Sequence, residues 1–390
     1  MKILITGGAG FIGSHIAEAF HRLGWDVTIL DNFTTGKREN LAGLTRTREN
    51  PFGKATGGEK SSEIAKSEEN LAGLTSKREN PSEKETGGEN LSEIATGRGN
   101  LSGIAGKVEI IEGDIRDKTA VAKAAAGCDV VVHLAALASV PASFRNPEET
   151  YEVNFMGTQN VLEAALQNNV KIVTFASSSA VYGDTDRLPI GEETPANPLS
   201  PYGLSKLLSE KLCRFHNTVY GLPVVVFRFF NVYGERQNPF SEYSAVIPKF
   251  INIIQNGGTP TIFGDGEQTR DFIYISDLVH AHLLAVEGAL KLQPAKSVKP
   301  ATNTSKSSAA YEATPLNLGS GEKTSLNQLV KIMSQIAGKE IKPQYAPPRS
   351  GDILHSFCKI DKIFDEIGFK PQTPMILGIE KMFNSRNFEN

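Results

Sequence analysis

Residues 2–14 read KILITGGAGFIGS, and the reading of this stretch decides the fold. The run KILIT at residues 2–6 is short, apolar and rich in β-branched side chains, as a buried strand requires. A helical period begins at Ile12 and continues to about residue 23. Between strand and helix stand Gly7, Gly10 and Gly13, spaced G-x-x-G-x-x-G. Glycines at such a junction permit a tight turn and let backbone N–H groups approach a pyrophosphate at the positive end of the helix. The next strand-like run, DVTIL at residues 26–30, leads into Asp31, whose carboxylate can accept from a ribose 2′-hydroxyl and repels a 2′-phosphate. The pattern therefore predicts a dinucleotide site that prefers NAD to NADP.

The same rhythm continues outward from this unit. VEIIEG from residue 108, DVVVHL at 129–134, KIVTFAS at 171–177 and PVVVFRF at 223–229 alternate with segments of helical period. Strands this rich in Val and Ile, apolar on both faces, suit a parallel sheet covered by helices on each side, the doubly wound Rossmann-type α/β fold. Past Phe230 the rhythm gives way to loops, Pro and Gly. This shift predicts two domains: residues 1–231 for the dinucleotide, and a smaller α/β substrate domain over 232–390, with some elements interleaved.

Composition narrows the class. The 390 residues carry 41 Lys and Arg against 44 Asp and Glu, a net charge of −3, so there is no basic surplus to neutralise a nucleic-acid backbone. No apolar run is long enough for a spanning helix, and the N-terminus lacks the pattern of a secretory signal. The three cysteines, Cys128, Cys213 and Cys358, have neither disulfide-framework nor zinc-ligand spacing. A soluble cytoplasmic protein with no metal centre and no membrane or nucleic-acid partner is expected.

Between the second and third strands lies a stretch too long for an ordinary crossover, residues 31–107. It contains a duplication: residues 39–68 and 69–98 share ENLAGLT, REN, TGGE and SEIA in the same register. Polar, charged and nearly free of aromatics, this insertion (about 45–106) offers little apolar surface to offset the entropy of ordering, and a solvated surface loop is expected. A second polar tract at about 291–314 has the same character.

The catalytic candidates lie near residue 200. S-P-Y-G-L-S-K places Tyr202 and Lys206 four apart on one face of a helix. A free phenol, with a pKa of about 10, is too weakly acidic to act as a base near neutrality, and an adjacent ammonium stabilises its phenolate. The preceding strand ends F-A-S-S-S-A-V-Y-G and delivers the hydroxyls of Ser177, Ser178 and Ser179 to the carboxyl edge of the sheet, where doubly wound folds bind ligands. Hydroxyl, phenol and ammonium together suit proton transfer coupled to hydride transfer. His133, inside an apolar strand, reads as a satisfied core residue. Asp114, in E-G-D-I-R-D after the third strand, is placed either to bond an adenine or for ordinary turn chemistry.

With these residues in view, the chain resembles the extended short-chain dehydrogenase/reductases, and within them the NAD-dependent nucleotide-sugar epimerases. The resemblance runs in order from residue 1 to about 360 through TGGAGFIGSH, LDNFTTGKRENL, EGDIRD, HLAALASVPAS, NFMGTQNVLEAA, SSSAVYGD, SPYGLSK, RFFNVYGERQNP, VIPKFI, IFGDGEQTRDFIYISD, NLGSG and PPRSGDILHS. It implies that Tyr202 is the base on the sugar 4-hydroxyl, that Lys206 holds the ribose and lowers the Tyr202 pKa, and that Ser178 is the catalytic hydroxyl, with Ser179 its competitor. It implies NAD contacts from Phe11, Ile12, Asp31, Asn32, Phe33, Thr34, Thr35, Gly36, Asp114, Ile115, Leu134, Ala135, Ala136, Leu137, Ala138, Asn154 and Phe230. Asn231, Arg270, Arg349 and Asp352 match positions that hold the sugar and its diphosphate, and Ser356 matches one thought to set pocket size.

The implied activity is 4-epimerisation of a UDP-hexose, UDP-glucose with UDP-galactose, through a 4-keto intermediate, with NAD retained and regenerated. A small residue at 356 should also admit UDP-N-acetylglucosamine. The dehydratases and decarboxylases of the same scaffold carry an acidic residue just after their catalytic Thr or Ser, whereas Ser179 and Ala180 follow Ser178 here, so simple epimerisation is favoured over elimination. UDP-glucuronate remains an alternative substrate, and a non-catalytic NAD-binding scaffold is the alternative of another class. The helices at about 148–167 and 200–219 are those through which such enzymes pair as homodimers.

Overall fold

The computed structural model describes residues 1–45, 106–240, 245–291, 313–349 and 353–385. The body of the duplicated insertion, most of the second polar tract and Asp352 lie outside the described residues.

Seven parallel strands form the central sheet: β1 (Lys2–Thr6), β2 (Asp26–Asp31), β3 (Val108–Glu112), β4 (Val130–His133), β5 (Ile172–Ser178), β6 (Val224–Phe229) and β11 (Pro315–Leu318). Their spatial order is β3-β2-β1-β4-β5-β6-β11, every neighbouring pair parallel. Strand order therefore reverses between β1 and β4, the switch point at which doubly wound sheets bind ligands. Ile3, Leu4, Ile5, Val130, Val131 and Val132 are fully buried, successive side chains entering opposite cores, which is why these strands are apolar without alternation. Each such side chain contributes roughly 1.5–3 kcal/mol relative to leaving it in water.

Helices α1 (Phe11–Arg22), α2 (Lys118–Ala125), α3 (Gly157–Gln167) and α4 (Pro201–Tyr220) follow β1, β3, β4 and β5. The expected helix at 148–167 runs without a break over residues 147–167, but not as regular α-helix throughout. Pro147–Tyr151 leads into a widened π-type turn at Glu152–Met156 before α3 begins. Apolar periodicity does not register one inserted residue, and such turns recur at functional sites.

The start of the first repeat copy belongs to the fold. Arg38–Leu41 forms a 3₁₀ turn, and Leu41 and Leu44 are buried in the core beside α1.

Beyond β6 the chain builds small sheets. β7 (Asn231–Tyr233) pairs with β10 (Phe272–Tyr274), β8 (Thr261–Phe263) with β13 (Gln344–Ala346), and β9 (Thr269–Arg270) lies between β12 (Thr324–Ser325) and β14 (His355–Ser356). Helix α5 (Val246–Gln255) lies here, and α6 (Ile275–Lys291) returns to pack on α1 and β5. Among the described residues no helix is long and apolar enough to cross a membrane.

Candidate active site

The carboxyl edge of the sheet opens into a cavity of about 480 Å³ that runs from Asp31 and Asn32 at one end to Ser178, Tyr202 and Lys206 at the other. Its floor is the glycine turn. Gly7 has φ +71°, and a Cβ there would stand 2.8 Å from the Ala135 amide nitrogen. A Cβ on Gly13 would meet the Gly7 carbonyl oxygen and lie 2.7 Å from Gly8 Cα, so α1 can sit this close to the turn only with glycine at 13. Gly10 opens the helix, accepting the Ser14 N–H. Phe11 and Ile12 complete this wall.

Asp31 is buried at the end of β2. Its Oδ2 accepts from the Ala9 amide at 2.9 Å and its Oδ1 from the Phe33 amide at 2.8 Å, which pins the glycine turn to the loop after β2. Each oxygen has acceptor capacity left over. Asn32, Thr34 and Thr35 line the cavity; Phe33 and Gly36 do not. Phe33 instead adopts a left-handed φ of 58° and lies under the Arg38 guanidinium, 4.2 Å from the ring centre. Gly36 packs against the Asp31 carboxylate, where a Cβ would come within 2.9 Å.

Asp114 and Ile115 border the same end. Arg116, which the sequence reading passed over, donates to both Asp114 oxygens, Nε at 3.0 Å and Nη2 at 2.8 Å, and Asn32 Nδ2 adds a third bond at 2.9 Å. The Arg116 bonds in particular hold the Asp114 carboxyl down at about 2. Its sequence signal was the basic residue two places along in E-G-D-I-R.

Leu134, Ala135, Ala136, Leu137 and Ala138 form the opposite wall. Asn154 is not in that wall. It is buried in the π-type turn, where its Oδ1 accepts from the Leu137 amide and its Nδ2 donates to the Leu137 carbonyl and the Ser205 hydroxyl. Asn154 thereby ties the wall to α4. His133 is likewise structural: Nδ1 lies 2.7 Å from Thr6 Oγ1 and Nε2 2.9 Å from Thr158 Oγ1. Burial pushes its pKa down to about 3.

At the other end, α4 begins as its sequence requires. Ser200 Oγ accepts the Gly203 N–H, Pro201 occupies the first turn, and Gly221 closes the helix at φ 70°. Gly203 lets α4 approach the turn after β5, since a Cβ there would stand 2.6 Å from the Ala180 carbonyl. That approach sets Tyr202 beside Ser178.

Of the three serines, Ser177 and Ser178 reach the cavity wall and Ser179 does not. The Ser177 hydroxyl donates to Glu210 Oε1 beneath the site, which leaves Ser178 as the hydroxyl facing Tyr202. Lys206 Nζ donates to the Ala176 carbonyl at 2.8 Å and lies 6.0 Å from the Tyr202 ring centre.

The electrostatics differ from the sequence expectation. Burial among the protein's own groups pushes the Tyr202 phenol up, with the Ser178 hydroxyl acting in the opposite sense. Burial also pulls Lys206 down to about 8, against the upward influence of Cys213 and Glu210. A lysine with that pKa is still about nine-tenths charged at pH 7.

Phe230, Asn231 and Ala245 continue the lining into a second space of about 210 Å³, bordered by Asn231, Gln268, Arg270 and Phe272. Arg270 thus reaches a cavity. Ser356 pairs with Arg270 across β14 and β9 without entering either lining. Arg349 stands apart from both, exposed and stacked 3.9 Å over the Phe263 ring.

A glycine turn before α1, a buried carboxylate with spare acceptors and a phenol–ammonium pair at the far end fit NAD, read on these residues alone. The comparisons agree. A UDP-glucose 4-epimerase of Halalkalibacterium halodurans is 28% identical over 390 residues, covering 96% of this chain and 92% of its own. A UDP-N-acetylglucosamine 4-epimerase from Methanobrevibacter ruminantium, solved with UDP-N-acetylmuramic acid, superposes with a TM-score of 0.72 at 32% identity, over 98% of this chain and 96% of that one. The Thermus thermophilus UDP-glucose 4-epimerase solved with NAD superposes with a TM-score of 0.69 at 29% identity, over 100% and 99% of the two chains. Residues 3–296 match the NAD dependent epimerase/dehydratase family, and the chain belongs to that family.

Proposed function

We propose that the protein interconverts a UDP-hexose and its 4-epimer, with UDP-glucose and UDP-galactose as the pair and UDP-N-acetylglucosamine as a second substrate. The observation that carries the reading is Ser178 beside Tyr202 at the cavity end, with Ser179 and Ala180 following and no carboxylate among them to catalyse elimination. Bound NAD would supply the hydride acceptor and donor for carbon 4.

The chain's own residues do the rest. Gly7, Gly10 and Gly13 admit the pyrophosphate, Asp31 takes the adenosine ribose, and Lys206 holds the nicotinamide ribose. Tyr202 removes the proton from the 4-hydroxyl, with Ser178 holding the same oxygen. A bound cofactor cation and the ammonium of Lys206 both favour the phenolate, offsetting the burial that raises Tyr202. Asn231 and Arg270 face the diphosphate, on which an Arg fork can close with two parallel bonds. Arg349, Asp352 and Ser356 belong to this substrate end by resemblance, and residues 232–390 supply most of it. The 4-keto sugar must turn about its diphosphate linkage before it is reduced on the other face.

A homodimer completes the proposal. Leu204, Leu208, Phe215 and Val219 recur along one face of α4 with 37–49% of their surface exposed, and Met156 lies exposed on the neighbouring helix. An exposed apolar face of this kind supports an interface there. Three free, buried cysteines suit a reducing cytoplasm.

The test is to incubate the purified protein, without added cofactor, with UDP-glucose, UDP-N-acetylglucosamine and UDP-glucuronate separately and to follow the anomeric proton by NMR. The 4-epimer of one of the first two supports the reading. A 4-keto product or carbon dioxide assigns the chemistry to another branch of the family.

A further inference from the structure

The TRDF segment that carries Arg270 also carries Asp271, which lines neither of the two cavities described above and which the mechanism does not use. Its side chain is fully buried, and the groups around it converge from two separate parts of the chain, the loop after β11 and the segment after β14. Oδ1 accepts from the Ser320 amide at 2.6 Å and the Ser320 hydroxyl at 2.8 Å. Oδ2 accepts from the Gly321 amide at 3.0 Å, the Cys358 amide at 3.3 Å and the Cys358 thiol at 3.2 Å. A Cβ on Gly319 would come within 2.8 Å of this carboxylate and 2.6 Å of Cys358 Sγ, so glycine there is what lets the loop after β11 close around it. Burying a carboxylate is costly, and here five donors offset that cost.

The backbone of the same residue addresses the substrate end. Its carbonyl accepts from both the main-chain and side-chain nitrogens of Asn231, at 3.0 and 2.8 Å. Its own N–H donates to the Ser356 carbonyl at 2.8 Å. Arg270 precedes it directly.

We propose that Asp271 is a positioning residue for the nucleotide-sugar site, its carboxylate locking the loop after β11 and the segment after β14 so that Asn231, Arg270 and Ser356 are held in one hydrogen-bonded frame. The inference rests on the UDP-hexose reading of the cavity. Asp271 has no bond to the glycine turn, to Asp31 or to α4, so loosening this frame disturbs substrate and leaves the cofactor end in place. Asp271→Asn keeps the shape but turns an NH₂ toward groups that are themselves donors.

The test is UDP binding by calorimetry, with NAD content measured after acid release and kcat and KM for UDP-glucose, in the wild type, Asp271→Asn and Ser320→Ala. Asp271→Asn should weaken UDP about tenfold and raise KM in step, Ser320→Ala should weaken it severalfold, and NAD content should stay at the wild-type level. Cys358→Ser, which keeps a donor, should bind UDP like the wild type. Unchanged UDP affinity in both Asp271→Asn and Ser320→Ala overturns the inference, as does NAD loss in proportion to UDP loss, which marks general unfolding. If Asp271→Asn does not fold, Ser320→Ala decides by the same criteria. A wild type that binds no UDP refutes the reading of the cavity and this inference with it, whereas wild-type binding with unaffected variants refutes only the role of Asp271.

Discussion

Beneath the proposed catalytic residues Glu210 and Arg228 form a two-bond ion pair, Nε to Oε1 at 2.9 Å and Nη2 to Oε2 at 2.7 Å, with side chains only 7% and 6% exposed. Glu210 lies one helical turn beyond Lys206 and also accepts from Ser177; Arg228 stacks 4.7 Å over the Tyr182 ring. An exposed pair of this kind would contribute about 0–1 kcal/mol, but removing one partner of a buried pair leaves the other charge without compensation and costs about 3–5 kcal/mol. Arg228→Met should therefore lower stability by about 3–5 kcal/mol, and Glu210→Gln by a similar amount. The double variant should lose much less than the sum, because neither charge is then stranded. Urea unfolding of the four proteins, with m unchanged, gives the coupling energy directly. A loss below about 1 kcal/mol for Arg228→Met, or additive losses in the double variant, would refute the argument. Activity adds a second readout: because Glu210 braces Ser177 beside Ser178 and acts on Lys206, kcat should fall in Glu210→Gln even where the protein remains folded.

Other expectations follow from the same geometry. Tyr202→Phe removes the proposed acid–base group and should lower kcat by about 10²–10⁴ while bound NAD, read by its release on denaturation, is retained. Gly13→Val places a side chain against the Gly7 carbonyl and should abolish NAD retention; a purified variant with full NAD content contradicts the fit of the turn. His133 has a folded pKa of about 3, below its unfolded value, so its contribution is present above about pH 6.5 and is lost as pH falls toward 3; at pH 5 the loss is about 2 kcal/mol, measurable as a drop in the urea midpoint that His133→Gln should diminish. Leu208→Glu with Phe215→Glu should shift the protein to a monomer in light scattering if the exposed face of α4 is the dimer contact.

Much of this was readable before the structure because it is local. A strand, three glycines and a helix lie within residues 2–22, and Tyr202 and Lys206 share a helix face by spacing alone. The hydroxyls needed only the knowledge that β5 ends at the carboxyl edge, although which serine faces the phenol depended on Glu210 capturing Ser177, a contact across 33 positions. What stayed hidden is tertiary. The edge strand β11 carries a short PLNL run whose partner β6 lies far back in the chain. Asn154, in the π-type turn at Glu152–Met156, braces Leu137 and Ser205 instead of lining the cavity, and neither that turn nor those partners leave a trace in periodicity. The direction of the Tyr202 shift has a physical reason that spacing hides: the helix face places an ammonium near the phenol but does not show how deeply the phenol itself is buried. Asp271 looked like the neighbour of an arginine, since its donors come from residues 320, 321 and 358.

The central claim is that carbon 4 is oxidised and reduced within one bound sugar while Tyr202 carries only the proton. The most direct measurement uses UDP-glucose deuterated at carbon 4, with purified protein, no added cofactor and ordinary water, following the product by NMR. The account predicts UDP-galactose that keeps its deuterium at carbon 4, formed by the wild type and not by Tyr202→Phe. Product with hydrogen at carbon 4 would show exchange with solvent and contradict it.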